Sequence, residues 1–170
     1  VSPRDTFVEQ IKRVLPGEML IIDANGVQRK RYWERKRTYD YTGTLEQSKD
    51  KTLELLHEAV DIEMRSDVPV AVMLSGGVDS SAVAAIAKRC GHEVHTITTG
   101  YTGSHAQDER NVAKRFAGEQ GFHYHEIELS EKDYIDSFDE LTAYLDEPMT
   151  DSTAIAQWAM FKKVKEMGFK

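Results

Sequence analysis

Apolar residues recur along this chain in two rhythms. From Thr44 to Arg65 they fall near a helical stripe at Leu45, Leu53, Leu56, Val60 and Met64, and Thr44 with Gln47 forms a capping-box signature ahead of it. This predicts a long helix over 45–65. From Val68 to Leu74 the run is continuously apolar, as in a strand buried on both faces of a parallel sheet. Alternation follows. A helix over 79–90 is closed by Gly91, and a β-branched strand occupies 93–100. A helix over 108–121 puts Val112, Phe116 and Ala117 on one face, and an alternating strand runs over 123–129. Two more helices are expected over 131–146, capped by Ser130 and Asp133, and over 152–167. Strand and helix in alternation predict an α/β fold, a parallel sheet with helices on both faces.

The first 43 residues read differently. Residues 5–14 could form a short helix with Phe7, Val8, Ile11 and Val14 on one side. Then "EMLIIDANGVQRKRYW", over 18–33, holds two extended runs around Asn25-Gly26, a strong hairpin signal. "TYDYTG", 38–43, reads as a linker. The expected organisation is therefore a hairpin-bearing segment over 1–43 and an α/β part over 44–170.

Composition narrows the function. A net charge of −7 and a pI of about 5.4 argue against bulk binding to nucleic acid or an anionic membrane. The basic run Arg29–Arg37 reads as a solvated strand face. Cys90, the one cysteine, cannot form an internal disulfide, which fits a reducing cytoplasm, and its place late in an apolar helix suits packing. No stretch approaches the roughly 18 apolar residues of a membrane span. The chain starts without methionine and ends at "KKVKEMGFK", where Gly168 looks like a helix C-cap. These ends read as cuts within a longer protein.

The candidate chemistry lies in "LSGGVDSS", 74–81, between the predicted first strand of the sheet and its helix. In such folds ligands bind beyond the carboxyl ends of the strands. Gly76 and Gly77 let several N–H groups converge on one anion, and the helix N-terminus adds partial positive charge. Ser75, Ser80 and Ser81 add hydroxyl donors. Asp79 beside a phosphate would be repulsive without a divalent cation between them, so it implies Mg²⁺. No Lys-Ser or Lys-Thr follows the glycines, which excludes the Walker pattern, and the adjacent glycines exclude GxGxxG.

"SGGVDSS" resembles the pyrophosphate-binding loop of ATP pyrophosphatases of the adenine nucleotide α-hydrolase type, a Rossmann-like fold. "RSDVPVAVMLSGGVDSSAVAAIA", "HTITTGYTGSHAQDERNVAKRFA", "GFHYHEIEL" and "DEPMTDSTAI" resemble, in order and spacing, the synthetase domain of glutamine-dependent asparagine synthetases. "IKRVLPGEMLIIDANGVQRKRYW" is similar to the end of that family's glutaminase domain and its connector.

The resemblance implies an ATP- and Mg²⁺-dependent amide-forming ligase that takes ammonia from glutamine. Its partners would be small molecules, and it is compatible with a homodimer of the full-length protein. Leu74 and Ser75, Gly76, Gly77, Val78, Asp79, Ser80 and Ser81 match its ATP-binding segment, with Asp79 as magnesium ligand. Thr99 stands where the family often has valine or isoleucine whose backbone meets adenine. Asp151 and Ser152 fall where its substrate cleft forms, although a helix cap explains them equally. Asp108-Glu109 match an acidic pair of the family, and a charged helix N-terminus is the preferred reading. His95, His123 and His125 lack a metal-ligand spacing and read as structural. No residue is assigned as catalytic, since the N-terminal cysteine of the glutaminase and the second acidic motif are not among these residues. Related amidotransferases or β-lactam synthetases with another acceptor share the loop. A non-catalytic nucleotide-binding module could also keep the fold, but it would have no need of Asp79.

Overall fold

The computed structural model describes residues 3–37, 41–103, 108–149 and 151–169, so the linker expected over 38–43 lies partly outside them. The chain divides into two compact units, 1–43 and 44–170.

In the first unit, β1 (Glu18–Asp23) pairs antiparallel with β2 (Gly26–Arg31). The turn differs by one position from the expected Asn-Gly tip. Asp23 pairs with Gly26, so Ala24 and Asn25 form the loop, and both keep negative φ while Gly26 takes +118°. A type I′ turn would need positive φ at both loop residues. Instead the Asp23 carboxylate accepts from the Asn25 N–H at 2.8 Å, a local Asx turn. β2 is exposed throughout, as expected of a solvated basic strand. The helix expected over 5–14 is absent. Turns and a bridge between Asp5 and Lys12 occupy this stretch, and Phe7, Val8, Ile11 and Val14 are exposed. Thr6 Oγ1 donates toward the Val8 and Ile11 carbonyls and accepts from the Val8 N–H, offering the backbone a turn in place of a helical ladder.

The second unit opens with α1 (Leu45–Glu63), whose capping box at Thr44 and Gln47 is formed. Of its apolar stripe only Val60 is buried, with Met64 packed beside it, while Leu45, Leu53 and Leu56 are exposed. Then follow β3 (Ala71–Met73), α2 (Val78–Arg89), β4 (His95–Tyr101), α3 (Arg110–Gln120), β5 (His123–Leu129), α4 (Glu131–Tyr144) and α5 (Thr153–Glu166). The strands form one parallel sheet in the order β3-β4-β5.

Two cores lie on the two faces of the sheet. On one, Ala84, Ile86 and Ala87 of α2 and Ala113 and Ala117 of α3 pack with Val60 and Phe122. On the other, Ala159, Met160 and Val164 of α5 pack on Ile97, Ile127 and Leu129. The buried face of α3 is therefore Ala113 and Ala117; Val112, expected there, is exposed. β3 is shorter than the apolar run, and its three residues are half-buried instead of buried on both faces. Pro69 has no N–H to give a ladder, and among the described residues β3 pairs on one side only. Cys90 is partly buried against the core, with Sγ 3.5 Å from His57 Nδ1. Gly168 takes φ +84°, the left-handed conformation expected of a C-cap. Among the described residues no helix is long and apolar enough to cross a membrane.

Candidate functional site

The end of β3 is pinned to β4 before the loop begins. Buried Leu74 donates its N–H to the Ile97 carbonyl at 2.8 Å, and its own carbonyl accepts from Thr98 Oγ1 at 2.7 Å. The chain then leaves the sheet at its carboxyl edge. Ser75 and Ser80 hydroxyls lie 2.9 Å apart, and Ser80 Oγ also accepts from the Ser75 N–H at 3.2 Å. Gly77 donates its N–H to Ser75 Oγ at 3.3 Å, and Ser80 Oγ lies 3.3 Å from the Gly77 carbonyl. These bonds cross-brace the loop on itself. Gly76 has φ +75°, and a Cβ there would stand 3.2–3.4 Å from Val112 and the Ala113 nitrogen. Glycine meets both demands, the left-handed backbone and the close approach to α3.

The start of α2 is left open. Gly77 is its N-cap and supplies no side-chain hydrogen bond. At every other helix a side chain accepts from a first-turn N–H: Thr44 from Gln47, Asp108 from Arg110, Ser130 from Asp133 and Asp151 from Thr153. Among the described residues α2 has no such acceptor. Its unsatisfied N–H groups and its partial positive charge face the loop, an arrangement suited to an anion. Val78 and Asp79 are exposed in that first turn, and the Asp79 carboxylate has no hydrogen-bond or ion-pair partner among the described residues. A free carboxylate beside a loop suited to an anion is an oxygen donor suited to a hard divalent cation.

Leu74, Ser75 and Thr99 come together on a cavity of about 300 Å³ whose wall also includes Met73, Glu109 and Met160. Thr99 Oγ1 is buried and has no hydrogen-bond partner among the described residues, whereas its neighbour Thr98 is satisfied. A buried hydroxyl without a partner costs on the order of 1–3 kcal/mol unless something pairs with it. Asp151 and Ser152 do not line this cavity. They border a second one, about 540 Å³, between α4 and α5, whose wall includes Phe138, Leu141, Leu145 and Ile155 together with the charged Asp146 and Glu147. The Thr153 side chain, and with it the Thr153 N–H at 2.9 Å, hydrogen-bonds to the Asp151 carboxylate, and these bonds hold its carboxyl below the usual range.

The structure separates the acidic pair. Asp108 binds Arg110 through both carboxylate oxygens, at 2.5–2.9 Å, while Glu109 faces the cavity. Arg110 is a hub that sequence reasoning missed. Besides Asp108 it reaches Glu128 at 3.2 Å, Glu126 at 3.3 Å and the Tyr101 carbonyl at 3.3 Å, and these acceptors hold its guanidinium firmly protonated. It lies so close over Gly100 that any Cβ there would collide with it. Arg110 thereby ties the start of α3 to the carboxyl ends of β4 and β5. Glu126 and Glu128, two apart on one strand, were the signal that a cation should lie between them.

A family model described as asparagine synthase matches residues 51–170, from within α1 to the end of the chain. The chain belongs to the asparagine synthase family. This asparagine synthase-family chain is 30% identical to an amidase of Gibberella zeae over 97% of its length and 27% of that protein's. It is 29% identical to glutamine-hydrolysing asparagine synthetase 1 of Bacillus subtilis, covering 98% of this chain and 26% of that one. It thus spans about a quarter of the length of these relatives. Among solved structures, the ammonia-dependent NAD synthetase of Campylobacter jejuni aligns with a TM-score of 0.46 at 18% identity, over 71% of this chain and 53% of that one.

Proposed function

We propose that the full-length protein is an ATP-dependent amide-forming ligase, asparagine synthetase-like, and that 44–170 is the part of its synthetase domain that grips ATP. The observation that carries this is the uncapped start of α2 joined to a cross-braced Ser-Gly-Gly loop at the carboxyl edge of a parallel sheet. Residues 1–43 would be the end of a glutaminase domain and its connector.

In this reading the N–H groups of the loop and of the first turn of α2 bind the β and γ phosphates. Ser75, Ser80 and Ser81 add hydroxyl contacts. Leu74 and the backbone of Thr99 bound the adenine subsite, and the unpartnered Thr99 hydroxyl supplies one further hydrogen bond to the nucleotide. An oxygen of the aspartate side-chain carboxylate attacks the α-phosphorus and the bond to the bridging oxygen breaks. Pyrophosphate departs and an acyl adenylate remains. Ammonia released from glutamine then adds to the acyl carbon and AMP leaves. The chain's own contribution is electrostatic: preorganised donors meet the charge that grows on the departing pyrophosphate. Asp79 would hold Mg²⁺, which supplies further neutralisation of that charge.

A second reading keeps this ATP half and changes the acceptor. The amidase of Gibberella zeae matches as well as the asparagine synthetases do. The cavity bordered by Asp151 and Ser152 is largely apolar, which suits an acceptor bulkier than aspartate.

The test is ATP–pyrophosphate exchange in the full-length protein, with aspartate and with bulkier carboxylates. Asp79→Asn should lower exchange by about 10²-fold or more while leaving glutamine hydrolysis intact. Exchange near the wild-type rate in that variant would contradict the assignment.

A further inference from the structure

The amino edge of the same sheet carries a second constellation, independent of the nucleotide site. The parallel register sets His95 of β4 directly opposite His123 of β5, and His125 follows two residues on, on the same face. Glu93, in the turn before β4, reaches over both. Its Oε1 lies 2.9 Å from His123 Nε2 and 3.9 Å from His95 Nε2, and the three ligand atoms all lie within 4.8 Å of one another. Around a tetrahedral zinc ion with bonds of about 2.0–2.1 Å, ligand atoms stand about 3.3–3.4 Å apart. The observed separations bracket that value, so small side-chain adjustments would close the site.

A further contact orients the ligands. His95 Nδ1 lies 3.0 Å from His125 Nε2. In the tautomer where His95 donates from Nδ1, its Nε2 lone pair is turned toward Glu93 and His123, as an outer partner orients a metal-bound imidazole. Phe169 packs against the rings of His95 and His125 at 5.1 and 5.2 Å between centroids and limits their movement. His95 is half-buried, while Glu93 and His123 are exposed, leaving an entry path and room for water as a fourth ligand.

We propose that Glu93, His95 and His123 form a site for one zinc-class divalent cation, which staples the amino ends of β4 and β5 to the turn before β4. Two neutral imidazoles and a carboxylate form a borderline ligand set, suited to Zn²⁺ or Co²⁺ more than to Mg²⁺ or Ca²⁺.

The experiment uses the full-length protein and Zn²⁺ titrated against a chromophoric chelator. His123→Gln should bind one Zn²⁺ fewer per chain than wild type, and Glu93→Gln should bind that ion at least tenfold more weakly. Both side chains are exposed, so the variants should keep the wild-type circular dichroism and metal-free melting temperature. Zn²⁺ should raise the melting temperature of wild type and leave that of His123→Gln unchanged, and Co²⁺ should give tetrahedral visible absorption in wild type and none in His123→Gln. Equal Zn²⁺ stoichiometry and affinity in wild type and both variants would overturn the site, whatever the outcome of the exchange assay.

Discussion

The starts of α4 and α2 follow the same kind of junction, a strand leaving the carboxyl edge of one sheet, yet they are finished in opposite ways. At α4 the chain completes itself: Ser130 accepts from the Asp133 N–H at 3.2 Å, and the Asp133 carboxylate accepts from the Ser130 N–H at 2.8 Å. At α2 the cap is a glycine, and the loop serines bond to each other and to the loop backbone. Donors that a protein satisfies internally hold structure; donors left open beside a cross-braced loop are available to a ligand. The contrast separates the two roles of serine in this chain, cap at Ser130 and brace at Ser75 and Ser80.

The largest expected effect comes from erasing the contrast. Gly77 sits at φ −75° and ψ 165°, a conformation any residue adopts, and a Cβ there meets only Ser75 Oγ at 3.2 Å. Gly77→Asp should therefore fold and cap α2, raising stability by a few tenths of a kcal/mol. The new carboxylate would occupy the N–H groups proposed to bind phosphate, and ATP–pyrophosphate exchange should fall by about 10²-fold. Stability from urea titration and exchange rates on the same preparation would check both halves.

A smaller effect is expected at Thr99. Thr99→Val removes a buried hydroxyl that nothing among the described residues satisfies, so ligand-free stability should stay level or rise. ATP affinity should drop by about 5–10-fold, one hydrogen bond's worth. Calorimetric titration with ATP and with pyrophosphate separates the subsites, because pyrophosphate binding should not change.

How much of this could be read from residue order depends on how local the cause is. The loop was legible because its signal is contiguous: an apolar strand and, directly after it, two glycines, a carboxylate and three serines within seven positions. β5 was predicted over the residues it occupies, since its alternation reports one buried face. Both capping boxes were legible because they need only four residues. The misreadings arise where a competing local bond or a distant contact decides. Phe7, Val8, Ile11 and Val14 have helical spacing, but a segment of ten residues is marginal alone and the Thr6 hydroxyl competes for its backbone. Arg110, Glu126 and Glu128 meet only because α3 returns over β5. His95 and His123 stand 28 positions apart and become neighbours through strand register alone.

The smallest effect lies at the finished end. Ser130→Ala should cost about 1 kcal/mol and leave exchange untouched. Asp133 adds a pH signature. Hydrogen bonds from Ser130 hold its carboxyl down to about 2, against an ordinary value of 3.8. A depressed folded-state value stabilises above the unfolded one, so this contribution is complete above pH 3.8 and is lost as the pH falls toward 2. Acid titration of stability should show this slope in the wild type and a shallower one in Asp133→Asn.

Amide hydrogen exchange in the full-length protein, with and without MgATP, reads the open donors of α2 one segment at a time. The two helix starts serve as each other's control. Open donors at the start of α2 predict that exchange across 75–81 slows markedly when the nucleotide binds, while the N–H groups of Ser130, Asp133 and Tyr134, already satisfied, stay unchanged. If MgATP binds and 75–81 exchanges as before, the phosphates lie elsewhere and the account fails.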